Sequence, residues 1–139
     1  MTVKQVLTKY SEHGSFTFEI TQKLELVCNA PKDSGGVYAV WAKGELIYVG
    51  SSGWIAQNGS VFIRKNGMYD RIVRGKQFGC SRRISWPIKM KEDRIMRLRV
   101  DSFVTMSEGR RDIPAYVEAC CIQIHFSEFK CLPRWNVRF

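Results

Sequence analysis

GVYAVWAKGELIYVG, running from Gly36 to Gly50, decides how this chain is read. GVYAVWA and ELIYVG are rich in β-branched and aromatic residues, which favour strands, and Lys43-Gly44 between them is a turn signal. The stretch is therefore a β-hairpin with Gly-x-Tyr at one end and Tyr-x-Gly at the other. Turn length fixes where the two tyrosines lie. A two-residue loop, Lys43-Gly44, pairs Ala42 with Glu45 and leaves Tyr38 and Tyr48 on opposite faces. A three-residue loop, Ala42-Lys43-Gly44, pairs Trp41 with Glu45 and sets Tyr38 opposite Tyr48 on one face. A shared site needs the second register or a bulge, and the second register is the expectation.

Working outward, Val3, Val6, Leu7 and Tyr10 have helical spacing. FTFEI at 16–20 alternates like a strand, and LELVC at 24–28 fits either type. NAPKDSGG before the hairpin is a loop by composition. After it, residues 50–67 are polar, basic and glycine-rich and read as a long loop. MYDRIVR at 68–74 predicts a short helix closed by Gly75. Residues 76–93 read as an irregular basic stretch. Residues 94–106 segregate Arg97 and Arg99 from Leu98 and Val100 at period two, a strand. Asp112-Ile113-Pro114 predicts a helix start, with Asp112 as N-cap and Pro114 in the first turn. The helix continues through AYVEACCIQIHF. The fold class is α/β in the broad sense (α+β), with a small, mainly antiparallel, three-stranded sheet flanked by helices.

The 139 residues suffice for one domain with a core. With 22 Lys and Arg against 13 Asp and Glu, the net charge is +9, which points to an anionic partner. No apolar run approaches the roughly 20 residues of a membrane span, and the N-terminus lacks the apolar core of a secretory signal. The expectation is a cytoplasmic protein with no membrane partner. Cys28, Cys80, Cys120, Cys121 and Cys131 are odd in number and lack Cys-x-x-Cys spacing, so they read as reduced thiols rather than a zinc site.

Five pieces in order resemble the GIY-YIG endonuclease family. They are Gly36-Val37-Tyr38, Tyr48-Val49-Gly50, Gly67-Met68-Tyr69-Asp70-Arg71, Pro114 through Ala119, and Pro133-Arg134-Trp135-Asn136-Val137. The resemblance covers residues 34–139, leaving 1–33 as an N-terminal extension. It implies a catalytic arginine at Arg71, a metal-binding glutamate at Glu118, an asparagine of the site at Asn136, and Tyr38 and Tyr48 as the paired tyrosines. Many members carry His or Tyr one turn after the arginine. Here that place is Gly75, so Tyr69 or Lys65 stands as a substitute. The segment between Gly50 and Arg71 is longer than in compact members and is similar to that of restriction-enzyme relatives.

Such a family implies DNA, duplex or branched, as substrate, Mg²⁺ as cofactor with Mn²⁺ able to replace it, and a monomer or homodimer. It fits a bacterial or phage-encoded protein of a restriction, phage or mobile-element context. The chemistry is coherent. One carboxylate, waters and phosphate oxygens suit Mg²⁺, and Arg71 offers a forked, permanent charge to phosphate. Tyr38 as proton acceptor needs nearby positive charge, because an ordinary phenol titrates at about 10; Arg64, Lys65 or the metal would supply it. Arg64, Lys65, Arg74, Lys76, Arg82 and Arg83 are the candidate DNA-binding cations, within a middle third that also holds Lys89, Lys91, Arg94, Arg97 and Arg99. Trp54 and Trp86 are candidates for base stacking, with packing as the plainer reading. The alternative to an enzyme is a non-catalytic DNA- or RNA-binding module on the same scaffold.

Overall fold

A computed structural model describes residues 1–107 and 109–139. Its elements in order are α1 (Val3–Leu7), β1 (His13–Glu19), α2 (Leu24–Val27), β2 (Gly36–Ala42), β3 (Glu45–Ser52), β4 (Trp54–Ile55), β5 (Val61–Phe62), α3 (Gly67–Arg74), β6 (Lys76–Gln77), β7 (Cys80–Ser81), α4 (Arg82–Glu92), β8 (Arg97–Val104), β9 (Met106–Ser107), β10 (Arg110–Arg111) and α5 (Pro114–Phe129). The main sheet has four strands in the order β1-β8-β2-β3, all antiparallel neighbours. The expected count of three is thus corrected. Alternation in the FTFEI segment buries Phe16 and Phe18, and β1 pairs along its whole length with β8.

Each face of the sheet carries a core. On one, Phe16, Phe18, Tyr38, Val40, Ile47, Leu98 and Val100 meet α2, α3, α4 and Trp135. On the other, Val37, Ala39, Leu46 and Val49 meet Val3, Leu7 and Tyr10 from the N-terminal segment and Val117, Cys121 and Ile122 of α5. Residues 1–33 therefore supply an edge strand and part of both cores. The first helix is short but firmly started, since Thr2 and Gln5 form a reciprocal capping box.

The hairpin turn is two residues, Lys43 (φ 52°) and Gly44 (φ 78°), with Ala42 facing Glu45. Two consecutive positive φ values match the right-handed strand twist. This corrects the expected three-residue loop. The pairing then shifts: Trp41 faces Leu46, but Val40 faces Tyr48, so Ile47 is an extra residue on β3. A bulge inverts the alternation beyond it. Tyr38 pairs with Gly50, and the two tyrosines share a face after all.

Three further readings are corrected. Residues 76–93 are not irregular: the β6–β7 hairpin leads into α4, whose buried Arg82, Ser85, Trp86 and Met90 have helical spacing despite Pro87. Residues 50–67 contain the β4–β5 ribbon, pairing Trp54 with Phe62 and Ile55 with Val61. Asp112 is not the cap of α5. Ile113 holds that place, Pro114 follows at the first turn, and the Asp112 carboxylate accepts a 2.8 Å hydrogen bond from Tyr10. All five cysteines are free thiols, with Cys28 and Cys121 buried and Cys131 exposed.

Candidate active site

Tyr38 and Tyr48 stand side by side, ring centroids 6.1 Å apart and tilted by 38°. Gly50 explains why Tyr38 fits. A Cβ on Gly50 would lie 2.5 Å from both Cζ and the hydroxyl oxygen of Tyr38, so the phenol rests on a bare backbone. Tyr38 is fully buried, and its hydroxyl has no hydrogen-bond partner among the described residues. Trp41 Nε1 and Ser52 Oγ of the same hairpin share this condition, so the unpaired phenol gains its meaning from the charged groups around it. Burial pushes the phenol up to about 12, against the positive charges of Arg82 and Arg71. Near neutral pH it is therefore protonated. Tyr48 is half-buried, the more exposed residue of the pair.

The cation beside the tyrosines is Arg82, which the sequence reading placed on the DNA-binding surface. That placement is corrected, because Arg82 is 1% exposed. Its Nη2 donates to the Tyr48 hydroxyl (3.1 Å), Nη1 to the Arg71 carbonyl (2.6 Å) and Nε to Gln77 Oε1 (2.8 Å). Its guanidinium carbon lies 5.5 Å from the Tyr38 ring centroid and 5.4 Å from that of Tyr48. Gln77 Oε1 also accepts from Trp86 Nε1 (3.0 Å), so the polar groups of this cluster are mutually fixed. Gly75 leaves room for it: a Cβ there would lie 2.3 Å from Arg82 Nη1. Gly75 does close α3, as expected, but with φ −59°, so its use is space rather than a left-handed turn.

Arg71 projects from α3, half-buried, and forms no ion pair among the described residues. Glu118 comes from the first turns of α5 to the end of β3. Burial raises its carboxyl pKa, while a hydrogen bond with Ser51 and the charges of Arg71 and Arg82 oppose the rise. No three His, Cys, Asp or Glu side chains converge among the described residues. The donor set fits a divalent ion held by one carboxylate, with water and substrate oxygens completing the shell. A partly desolvated carboxylate with no ion-pair partner among the described residues is a fitting anchor for it.

The other expected residues lie elsewhere or are otherwise engaged. Asn136 spends its side-chain amide on the main chain of Val49: the Val49 N–H donates to Oδ1 (3.0 Å), and Nδ2 donates to the Val49 carbonyl (3.1 Å). With Trp135 N–H donating to the Ile47 carbonyl (2.7 Å), it pins the C-terminal segment to the open edge of β3. Asn136 thus supports Tyr48 from behind. Tyr69 donates to the Glu25 carbonyl (2.6 Å) and lies under Lys32, tying α3 to α2 rather than joining the tyrosine pair. Lys65 is exposed on the approach to α3.

Arg64 and Arg74 both pair with Asp70, at 2.6 and 2.9 Å. Arg83 pairs with Glu25, Arg97 with Glu19, Arg99 with Asp101, and Lys89 with Glu92 and Asp93. The basic middle third is therefore largely answered by acids, whereas Lys76 is exposed. Trp86 is buried core, while Trp54 is exposed. Open grooves lie on the opposite face of the sheet around Trp41. Among the described residues, no helix is long and apolar enough to cross a membrane. Comparison with known family models, with curated proteins and with solved structures finds no match.

Proposed function

We propose that this chain is a divalent-metal-dependent DNA endonuclease of the GIY-YIG type. One observation carries the reading. Tyr38 and Tyr48 stand side by side with the Arg82 guanidinium against both rings, and Arg71 of α3 and Glu118 of α5 lie near enough for their charges to bear on the same buried phenol. Packing alone gives no reason for two tyrosines, two arginines and a glutamate to converge there.

In this reading Arg71 binds the scissile phosphate, and its free fork suits two phosphate oxygens. Glu118 would hold Mg²⁺, which would supply charge neutralisation on the phosphate and a more acidic water. Tyr48 presents its hydroxyl to the attacking water. Tyr38 takes the proton of the water only as a phenolate: its own proton leaves to solvent first, an ionisation that Arg82, Arg71 and a bound cation favour against its burial. Asn136, acting through Val49, keeps the Tyr48 strand in place.

Plasmid cleavage in Mg²⁺ tests the proposal, comparing wild type with Glu118→Gln. Nicking or linearisation by wild type, lost in the variant, is the expected result. If both proteins bind plasmid and branched DNA but leave them intact, the scaffold is a binding module instead.

A further inference from the structure

This inference rests on the endonuclease reading and extends it to a residue that the family motifs leave unassigned. A permanently charged side chain is rarely buried without a carboxylate beside it. Arg82 is buried, and among the described residues no Asp or Glu lies within ion-pair distance of it. Its partners are instead a main-chain carbonyl, an amide oxygen, a phenol oxygen and two tyrosine rings. The charged and titratable groups facing this cluster are Arg71 from α3, Tyr38 from β2, Tyr48 from β3 and Glu118 from α5. Arg82 also occupies the space one turn beyond Arg71, where Gly75 has no side chain.

We propose that Arg82 is the positioning residue of the tyrosine pair. By donating to the Tyr48 oxygen it turns the Tyr48 O–H away from α4, and it locks that strand to the main chain of Arg71. A phenol oxygen that has accepted a bond from one side offers its own hydrogen elsewhere. Arg82 can set that direction because two other acceptors, the Arg71 carbonyl and Gln77 Oε1, fix its guanidinium. The phosphate-binding arginine and the water-facing tyrosine are thereby held in register through one side chain. The same positive charge is the largest influence drawing the Tyr38 phenol down against its burial.

Four variants test this: Arg82→Met, Arg82→Lys, Tyr48→Phe, and Arg82→Met combined with Tyr48→Phe. Each is checked for folding by thermal melting, then for DNA affinity in Ca²⁺ by fluorescence anisotropy, then for single-turnover cleavage in Mg²⁺ at saturating protein. Arg82→Met is expected to slow cleavage about 100-fold, the scale of losing one preorganised donor, with affinity kept within about threefold. Arg82→Lys, which keeps the charge and one donor, should recover about tenfold of that loss. The combined variant should be no slower than the slower single one, because groups that act as a unit do not add.

A folded Arg82→Met protein cutting at the wild-type rate overturns the proposal. So does a loss of affinity matching the loss of rate, which would mark Arg82 as a phosphate contact. Multiplied losses in the combined variant would also overturn it. Should Arg82→Met fail to fold, Tyr48→Phe removes only the hydroxyl that Arg82 holds, and a wild-type rate there is equally fatal. If wild type itself leaves plasmid and branched DNA uncut, the endonuclease reading fails and takes this role with it. An active wild type with a slowed Tyr48→Phe and an undisturbed Arg82→Met removes the Arg82 role alone.

Discussion

Two hairpins follow one another in this chain and meet opposite fates. β2–β3 lies deep in the sheet, with Tyr38, Ala39, Val40, Ile47 and Val49 essentially inaccessible. β4–β5 is a ladder of two residue pairs that leaves Trp54, Val61, Phe62 and Ile63 exposed. Its side-chain prop is aromatic: the Trp54 and Phe62 rings stack at 5.5 Å, nearly parallel. The first hairpin holds a polar group with no partner, and the second holds apolar groups with no core. Stability alone favours neither arrangement. The ribbon starts just after β3, beside Ser51, which lowers the Glu118 carboxyl pKa, and returns just before the helix of Arg71, so both oddities belong to one stretch of chain.

Breaking the first hairpin should have the largest effect. Gly50→Ala forces a methyl into the Tyr38 ring and is expected to cost about 3 kcal/mol, the upper range for overpacking a filled site. Urea unfolding measures this, and cleavage should vanish with it. An undiminished midpoint would mean that the phenol does not rest where the geometry has it.

A pH titration sharpens the contrast with little structural disturbance. The folded Tyr38 pKa, about 12, exceeds the ordinary value of 10.0. The unfolded chain therefore loses this proton first as pH rises. The stability contributed by the neutral buried phenol is intact below pH 10 and drains away towards pH 12, by about 2–3 kcal/mol in all. In Tyr38→Phe that part of the alkaline decline should disappear. Equal slopes for the two proteins over this window would contradict the burial of the hydroxyl.

Asn136→Ala comes next. It removes two hydrogen bonds to the Val49 main chain, and a loss of about 2 kcal/mol is expected in thermal unfolding. Slower cleavage should accompany it, with DNA affinity preserved, because Asn136 acts on the strand. The smallest stability effect belongs to the ribbon. Trp54→Ala should change unfolding free energy by less than about 0.5 kcal/mol, as an exposed substitution does. DNA affinity should nevertheless fall about tenfold if the ring stacks on a base. Unchanged affinity would leave the ribbon outside the DNA contact.

The legible parts of this molecule were those in which local chemistry and tertiary use agree. Period-two alternation exposed β8, and Pro114 marked the start of α5. The tyrosine face was reached by a different route from the one expected. A two-residue turn forbids the shared face in a regular ladder, and nothing in ELIYVG announces that Ile47 bulges. α4 was hidden because Pro87 and a dense run of charges mask the Arg82, Trp86 and Met90 stripe. Arg82 itself looked like one more surface cation. The available clue was negative: a glycine one turn beyond Arg71 leaves a space that something else must fill, and sequence alone does not say from where. Asn136 was visible as a residue but not as a clamp, since its bonds are made to a main chain distant in sequence.

The central position of β8 also has a kinetic consequence. It lies between β1 and β2, both of which precede it by a long stretch of chain, and His13 pairs with Phe103 across most of the domain. Pairings of such separation close late and slowly, because the entropy of the intervening chain is surrendered before any ladder forms. Until β8 arrives, β1 and β2 each present a strand edge with nothing to hold it, a species inclined to self-association. Refolding yield should therefore fall with protein concentration more steeply than a domain of this size would suggest, and the tyrosine cluster should be among the last features to form.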